Sequence, residues 1–263
     1  MFYLKKSLGQ NFLKDRNIIK KIINLKNIKS KDIVEIGPGN GAITDEILSH
    51  DPNSLILIEK DNRLLDKLKE KYKKNKSIIF YNDDVLKIDL EKKIKKNSII
   101  FGNLPYNISS QILVKLIKFN KWPPKFSNLI LMFQKEVADR IIANVNTSNY
   151  GRLSILAKWK LDIVRICNIK PSCFFPKPKI ESSLLFFKPK KNFFKIDNPK
   201  NIELVTRSFF NHRRKMIKKP FNQLFNGKSY IQKKLKLNLN LRPQNLCLDT
   251  YYNLIKEYEK LSG

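Results

Sequence analysis

Apolar positions in the first two-thirds of the chain switch repeatedly between a helical and an extended rhythm. Ile18, Ile19, Ile22 and Ile23 recur at helical spacing around Lys20 and Lys21, which predicts a helix within Asp15–Leu25 with one buried face. Ile33-Val34-Glu35-Ile36 reads as a short buried strand ending at Gly37-Pro38-Gly39-Asn40-Gly41, with a helix expected over Ala42–Leu48. Leu55–Glu59 is a second strand, and Leu64, Leu65 and Leu68 mark the helix after it. Ile78–Tyr81 is a third strand, running into Asp83-Asp84. Ile99–Gly102 is a fourth, running into Asn103-Leu104-Pro105-Tyr106, and Ile108, Ile112, Leu113, Leu116 and Ile117 give the next helix its apolar face. Leu129–Phe133 is a fifth strand, followed by a helix over about Lys135–Ala143, with further strands at Leu161–Ile166 and Leu184–Phe187.

Strand and helix in alternation imply βαβ units, hence an α/β fold with a mostly parallel, Rossmann-like sheet covered by helices on both faces. Ligands of such sheets sit beyond the carboxyl ends of the strands, where the strand order reverses. The glycine-rich and polar segments above all fall at that edge. Lys188–Asn192 reads as a linker, after which Ile202/Val205/Phe209, Phe221/Leu224/Phe225 and Tyr251/Leu254/Ile255/Tyr258 suggest three helices. The expected organisation is therefore an α/β domain carrying those strand-end segments over 1–190 and a small all-helical domain over 191–263.

Composition adds a partner. The 263 residues carry 53 Lys+Arg against 23 Asp+Glu, a net charge of +30. Such an excess favours a polyanion through phosphate neutralisation and counterion release. Only nine of the basic residues are Arg, and Lys, Ile and Asn share A/T-rich codons, so placement says more than the total. Between Leu204 and Leu248 there are eleven Lys or Arg and no Asp or Glu. Within that tract Arg213, Arg214, Lys215, Lys218 and Lys219 are the candidate RNA contacts, the two arginines foremost because guanidinium suits bidentate phosphate binding. The apolar runs are too short to span a membrane, and the basic start leads into Gln10-Asn11 rather than an apolar signal segment. Cys167, Cys173 and Cys247 are odd in number and lack C-x-x-C spacing, while His50 and His212 have no partner pattern. No disulfide and no metal site are expected, and the cytoplasm is the expected compartment.

Three segments could carry chemistry. Gly37-Pro38-Gly39-Asn40-Gly41-Ala42 meets the loose nicotinamide fingerprint, yet glycines also simply punctuate a strand-to-helix turn. Glu59, at the end of the second strand, suits a nucleoside by accepting both ribose hydroxyls, and either Asp83 or Asp84 could accept from an adenine amine. In Asn103-Leu104-Pro105-Tyr106, the Asn side-chain oxygen and the Leu carbonyl could take the two N–H groups of an exocyclic adenine amine and localise its lone pair. Pro105 stiffens that turn, and Tyr106 offers a ring to an extruded base. Phe174-Phe175-Pro176-Lys177-Pro178-Lys179 could close over the base from the other side.

These residues carry a resemblance. Gly9-Gln10-Asn11-Phe12-Leu13, Val34-Glu35-Ile36-Gly37-Pro38-Gly39, Phe101 to Ser109, Gln134-Lys135-Glu136-Val137, Tyr150 to Ser154, Phe174-x-Pro176-x-Pro178-Lys179 and Phe210 to Lys215 follow in the same order as in the bacterial small-subunit (16S) ribosomal RNA adenine N6,N6-dimethyltransferases, the KsgA/RsmA family. The resemblance implies a class I methyltransferase fold using S-adenosyl-L-methionine, with Asn11, Leu13, Gly37, Gly39, Glu59, Asp84 (rather than Asp83) and Asn103 at the cofactor. It implies Tyr106 and Phe174 stacking the target adenine, with Asn103, Leu104 and Pro105 at its amine. The implied substrate is a pair of adjacent adenines in the hairpin near the 3′ end of 16S rRNA, in an assembling 30S subunit. The acting species is expected to be a monomer. The nearest alternative is a large-subunit rRNA adenine dimethyltransferase of the macrolide-resistance type. A catalytically silent assembly factor and a nicotinamide oxidoreductase are weaker, because Asn103–Tyr106 would then have no role.

Overall fold

In a computed structural model, residues 10–262 are described and fall into two compact units. The first takes the described chain up to Ala138 together with Asp162–Pro189, and the second takes Asp139–Leu161 and the chain from Lys190 onward. The second unit thus includes 139–161, which a single division after residue 190 assigns to the first. Gly9 of the N-terminal motif lies outside the described residues.

The first unit opens with β1 (Phe12–Leu13) and α1 (Arg16–Ile23), whose N-terminus is capped by the Asp15 carboxylate accepting from the Asn17 and Ile18 amides. Then follow β2 (Asp32–Ile36), α2 (Ala42–Leu48), β3 (Ser54–Glu59), α3 (Asn62–Lys71), β4 (Ile78–Asn82) and the short α4 (Leu90–Lys93). After these come β5 (Ser98–Asn103), α5 (Ser109–Ile117), β6 (Phe126–Gln134), β7 (Leu161–Ile169), β8 (Phe174–Phe175) and β9 (Ser182–Pro189). Seven strands form one sheet in the order β4-β3-β2-β5-β6-β9-β7. The first five are parallel, and β9 runs antiparallel to β6. Every residue of β3 is buried, as a strand covered on both faces requires.

Strand order sets the position of the site. From β2 the chain steps outward to β3 and β4, then returns to the other side of β2 as β5. The reversal lies between β2 and β5, where Ile36 pairs with Gly102. Gly37 and Asn103 are therefore neighbours at the mouth of the crevice that such a reversal opens.

In the second unit α6 (Lys135–Ile142, which begins in the first) and α7 (Arg152–Lys160) are followed by α8 (Lys200–Phe210), α9 (Lys218–Phe225), α10 (Ser229–Lys234) and α11 (Leu248–Ser262). Buried aromatics hold it together. Tyr252 Oη donates to the Ile155 carbonyl at 2.9 Å and Tyr251 Oη to the Pro243 carbonyl at 2.7 Å, so both rings are buried without stranding their hydroxyls.

One expectation needs correction, and two elements escape the hydrophobic pattern. Lys188–Asn192 is not a linker throughout, because β9 continues through Pro189. Helix α7 has no counterpart in the hydrophobic pattern, because Ile155, Leu156, Ala157, Trp159 and even Lys160 are all buried, leaving no polar face to set a period. The two-residue ribbon of β1 against β8 is too short for any periodicity to reveal, and it joins segments some 160 residues apart. Among the described residues, no helix is long and apolar enough to cross a membrane.

Candidate active site

One cavity gathers the strand ends of the first unit, lined by residues from the segments 10–12, 36–39, 58–64, 83–85 and 103–108. Its floor is the glycine turn after β2. The Gly37 amide donates to the Ile58 carbonyl at 2.9 Å, and Gly37, Gly39 and Gly41 all have positive φ. At Gly39, with φ +58°, a Cβ would stand 2.7 Å from the Phe12 ring. That position therefore demands glycine twice over, once for its backbone and once for the ring lying against it.

Glu59 closes one side. Its two oxygens accept from the Gly39 amide at 3.2 Å and the Asp61 amide at 2.9 Å, and the Lys60 amide also bears on the carboxylate, which leaves capacity for a further donor. Burial raises its pKa from 4.5, while those amides oppose the rise. Asp61 is tied to the Arg63 guanidinium at 2.7 Å and accepts from Gln10 Nε2 at 3.1 Å. The bond from Arg63 is the main cause holding its carboxyl at about 2. Gln10 is thereby linked to the start of α3, a role its sequence position alone does not disclose.

Asp83 and Asp84 both line the cavity. Asp84 Oδ1 accepts from the Leu86 amide and Oδ2 from Lys60 Nζ, each at 2.9 Å. The Leu86 amide first and Lys60 second hold the Asp84 carboxyl below its ordinary value. Asp83 turns back on the backbone and accepts from the Asp84 amide at 2.7 Å. Lys60, the ion-pair partner of Asp84, is absent from the sequence-derived set.

Asn103 faces them across the crevice. Its Nδ2 donates to the Asn11 carbonyl at 2.7 Å. A carbonyl acceptor fixes which end of the amide faces it, so Oδ1 points the other way, free among the described residues to accept. Leu104 packs its side chain inward, and the Ile108 amide donates to the Pro105 carbonyl at 3.1 Å, closing a tight turn that leads into α5. Tyr106 lines the cavity, with its hydroxyl and the Ser182 hydroxyl 2.6 Å apart, which anchors the ring to the start of β9. Burial raises its pKa, so it remains a neutral phenol at physiological pH.

Glu35 lies behind the glycine turn, fully buried, accepting from Thr44 Oγ1 at 2.6 Å. Burial pushes its carboxyl up to about 8, with Asp45 and Glu59 adding to the rise. It does not line the cavity.

The structure thus brings Asn11, Gly37, Gly39, Glu59, Asp84 and Asn103–Tyr106 together. Leu13 and Phe174 are placed elsewhere. They pair with each other across the ribbon and are buried in the hydrophobic core with Ile169 and Leu184, so neither side chain lines the cavity. Successive strand residues face opposite ways, and it is Phe175 that projects outward. In the second unit Arg214, Lys215, Lys218 and Lys219 are exposed. Arg213 is half-buried, donating from Nη2 to the Thr147 carbonyl at 3.3 Å, with its guanidinium 6.0 Å from the Phe210 ring centre. Among the described residues, no cluster of His, Cys, Asp and Glu could hold a metal ion.

The family described as ribosomal RNA adenine dimethylase matches residues 1–260. Ribosomal RNA small subunit methyltransferase A of Pelagibacter ubique is 53% identical over 262 residues, covering 98% of this chain and 98% of that protein. The protein of the same name from Mycoplasma mobile is 38% identical over 255 residues, covering 96% of this chain and 97% of that protein. Among solved structures, a dimethyladenosine transferase from Plasmodium falciparum superposes with a TM-score of 0.78 at 29% identity, covering 95% of this chain and 98% of that one.

Proposed function

Because the chain belongs to the ribosomal RNA adenine dimethylase family, we propose that this cavity is where it dimethylates the N6 amines of two adjacent adenines in the hairpin near the 3′ end of 16S rRNA. The residues present suit a nucleoside-bearing cofactor. A buried carboxylate with room for a further donor ends β3, and a glycine turn in which Gly39 is closed to any Cβ by Phe12 ends β2. S-adenosyl-L-methionine supplies an already activated methyl group on sulfur, so the protein's own task is mainly positioning.

Each residue has a role that follows from its place. Glu59 accepts from the ribose hydroxyls. Asp84 accepts from the cofactor's adenine amine while keeping Lys60 as its counter-ion. Gly37 and Gly39 let the backbone approach closely, Asn11 borders the same space, and Leu13 supports that segment from the core. At the target, Asn103 Oδ1 and the Leu104 carbonyl each accept one N–H of N6. Two acceptors on one amine favour a pyramidal nitrogen whose lone pair is no longer shared with the ring. No strong base is needed, since the nitrogen becomes acidic once alkylated. Pro105 fixes the turn, and Tyr106, held by Ser182, presents its ring to the extruded base. Phe174 acts from the core, supporting Leu13 and the ribbon rather than touching the base. Arg213, Arg214, Lys215, Lys218 and Lys219 contact RNA phosphates, and an assembling 30S subunit met by a cytoplasmic monomer is the proposed setting.

The observation that carries this reading is the amide of Asn103, oriented by Asn11 so that an acceptor faces the cavity. Mass-spectrometric mapping of adenines in unmethylated small subunits, incubated with protein and cofactor, tests it. Dimethylation of two adjacent adenines near the 3′ end is expected; an unmodified pair overturns it.

A further inference from the structure

Phe175 is 61% exposed, the most exposed large hydrophobic side chain among those described. Among the described residues its ring touches no other ring and no cation, yet its backbone is firmly held. It pairs with Phe12 across the β1–β8 ribbon, and the Lys14 amide extends the ribbon by donating to the Cys173 carbonyl at 2.9 Å. Residues directly opposed in an antiparallel pair project from the same face. Phe12 lines the cavity, so Phe175 stands on the cavity side of the ribbon, at its rim.

The loop beyond it has a matching chemistry. Pro176 and Pro178 stiffen it, and Lys177 and Lys179 are exposed with no acidic partner among the described residues. The loop then ends at Ser182, whose hydroxyl holds Tyr106. A free aromatic face followed by two unpaired cations is the pattern by which single-stranded nucleic acid is held, the ring stacking a base and the lysines neutralising backbone phosphate.

We propose that Phe175 is a positioning residue for RNA: it stacks the nucleobase adjacent to the adenine whose N6 sits at Asn103, with Lys177 and Lys179 at the phosphates beside it. This rests on the adenine-methylating reading of the cavity and adds a second base site to it. A stacking face asks for no hydrogen bonds. It therefore accepts a neighbour that is still an unmodified adenine and equally one already dimethylated, whose amine has lost its donors. One cavity can then serve both members of an adjacent pair in turn.

Steady-state methyl transfer to unmethylated small subunits tests this with four variants. Phe175→Ala and Phe175→Leu should both raise KM for the subunit about tenfold, with kcat and cofactor affinity unchanged. Phe175→Tyr and Phe175→Trp should stay near wild type, because each keeps a ring. The leucine variant separates stacking from mere apolar contact, and a melting temperature equal to wild type is expected of a side chain so exposed. An unchanged KM in Phe175→Ala, or wild-type behaviour of Phe175→Leu, overturns the proposal while leaving the function intact. No methyl transfer by the wild-type protein overturns the function and this inference with it.

Discussion

The side-chain nitrogen of Asn103 lies 2.7 Å from the backbone oxygen of Asn11, a bond between residues 92 positions apart. It ties the segment before α1 to the end of β5 and sets the direction in which the Asn103 oxygen points. Replacing Asn103 with Ala removes one of the two acceptors for N6, and kcat should fall by about 10²–10³-fold, as on loss of one preorganised hydrogen-bonding partner of a transition state. Asn103→Asp should be nearly as damaging, because a carboxylate oxygen cannot donate to the Asn11 carbonyl and is repelled by it. Tritium transfer from labelled cofactor measures both. Wild-type turnover by either variant would rule out the amide as the element that activates the amine.

Gly39 and Phe12 make a second long-range match. Gly39→Ala places a methyl group 2.7 Å from the Phe12 ring at a φ of +58°. The left-handed backbone costs an L-residue about 1–2 kcal/mol and the ring must move as well, so cofactor affinity should fall about 10–100-fold. Adding Phe12→Ala should restore only part of this, since it relieves the clash and leaves the backbone strain. Titration calorimetry with the cofactor reads both variants. Full recovery in the double variant would mean that the backbone conformation contributes nothing.

Much of this site is legible in the sequence, because its parts sit at strand ends and the strands announce themselves. The runs at Ile33–Ile36, Leu55–Glu59 and Ile99–Gly102 locate the glycine turn, Glu59 and Asn103, and the expected helix Ala42–Leu48 matches α2 residue for residue. What stays hidden depends on contacts between distant segments. Nothing local to Ser182 signals that it holds Tyr106, nor does anything near Gln10 signal Asp61. The two phenylalanines at 174 and 175 are indistinguishable by composition. Only the register of a two-residue ribbon decides which one turns into the core, and it buries the one that the family motif points to.

Glu35 gives a pH dependence of stability. Its carboxyl is raised from 4.5 to about 8, chiefly by burial, so the folded protein keeps a proton that the unfolded chain releases. The stabilisation this group contributes is complete below about pH 4.5 and disappears as the pH rises through about 8. Glu35→Gln keeps a neutral group of the same size that still accepts from Thr44. Its melting temperature should lie close to wild type near pH 5 and exceed it by roughly 10 °C at pH 9. Thermal melts across that range decide the matter; parallel curves for the two proteins would mean that Glu35 does not titrate between them.

Arg213 and Arg214 are adjacent, yet the structure gives them different work. The Arg213 guanidinium is half-buried on the Phe210 ring, which is itself stacked on Tyr251 with centroids 5.7 Å apart, and it donates to the Thr147 carbonyl. Arg214 is exposed. Arg213→Ala should therefore lower the melting temperature as well as weaken RNA binding, whereas Arg214→Ala should affect RNA alone. A cation that neutralises one phosphate steepens the fall of log affinity with log salt by about one, so Arg214→Ala should make that slope shallower by about the same amount. Calorimetry should find cofactor affinity unchanged in Arg214→Ala. The overall charge of +30 gives salt-sensitive binding to any polyanion, and this variant alters that charge by only a single unit. A weakening well beyond that from replacing one exposed lysine elsewhere, such as Lys74→Ala, would mark this tract as the place where RNA binds. Equal weakening by the two would assign the binding to the diffuse lysine background instead.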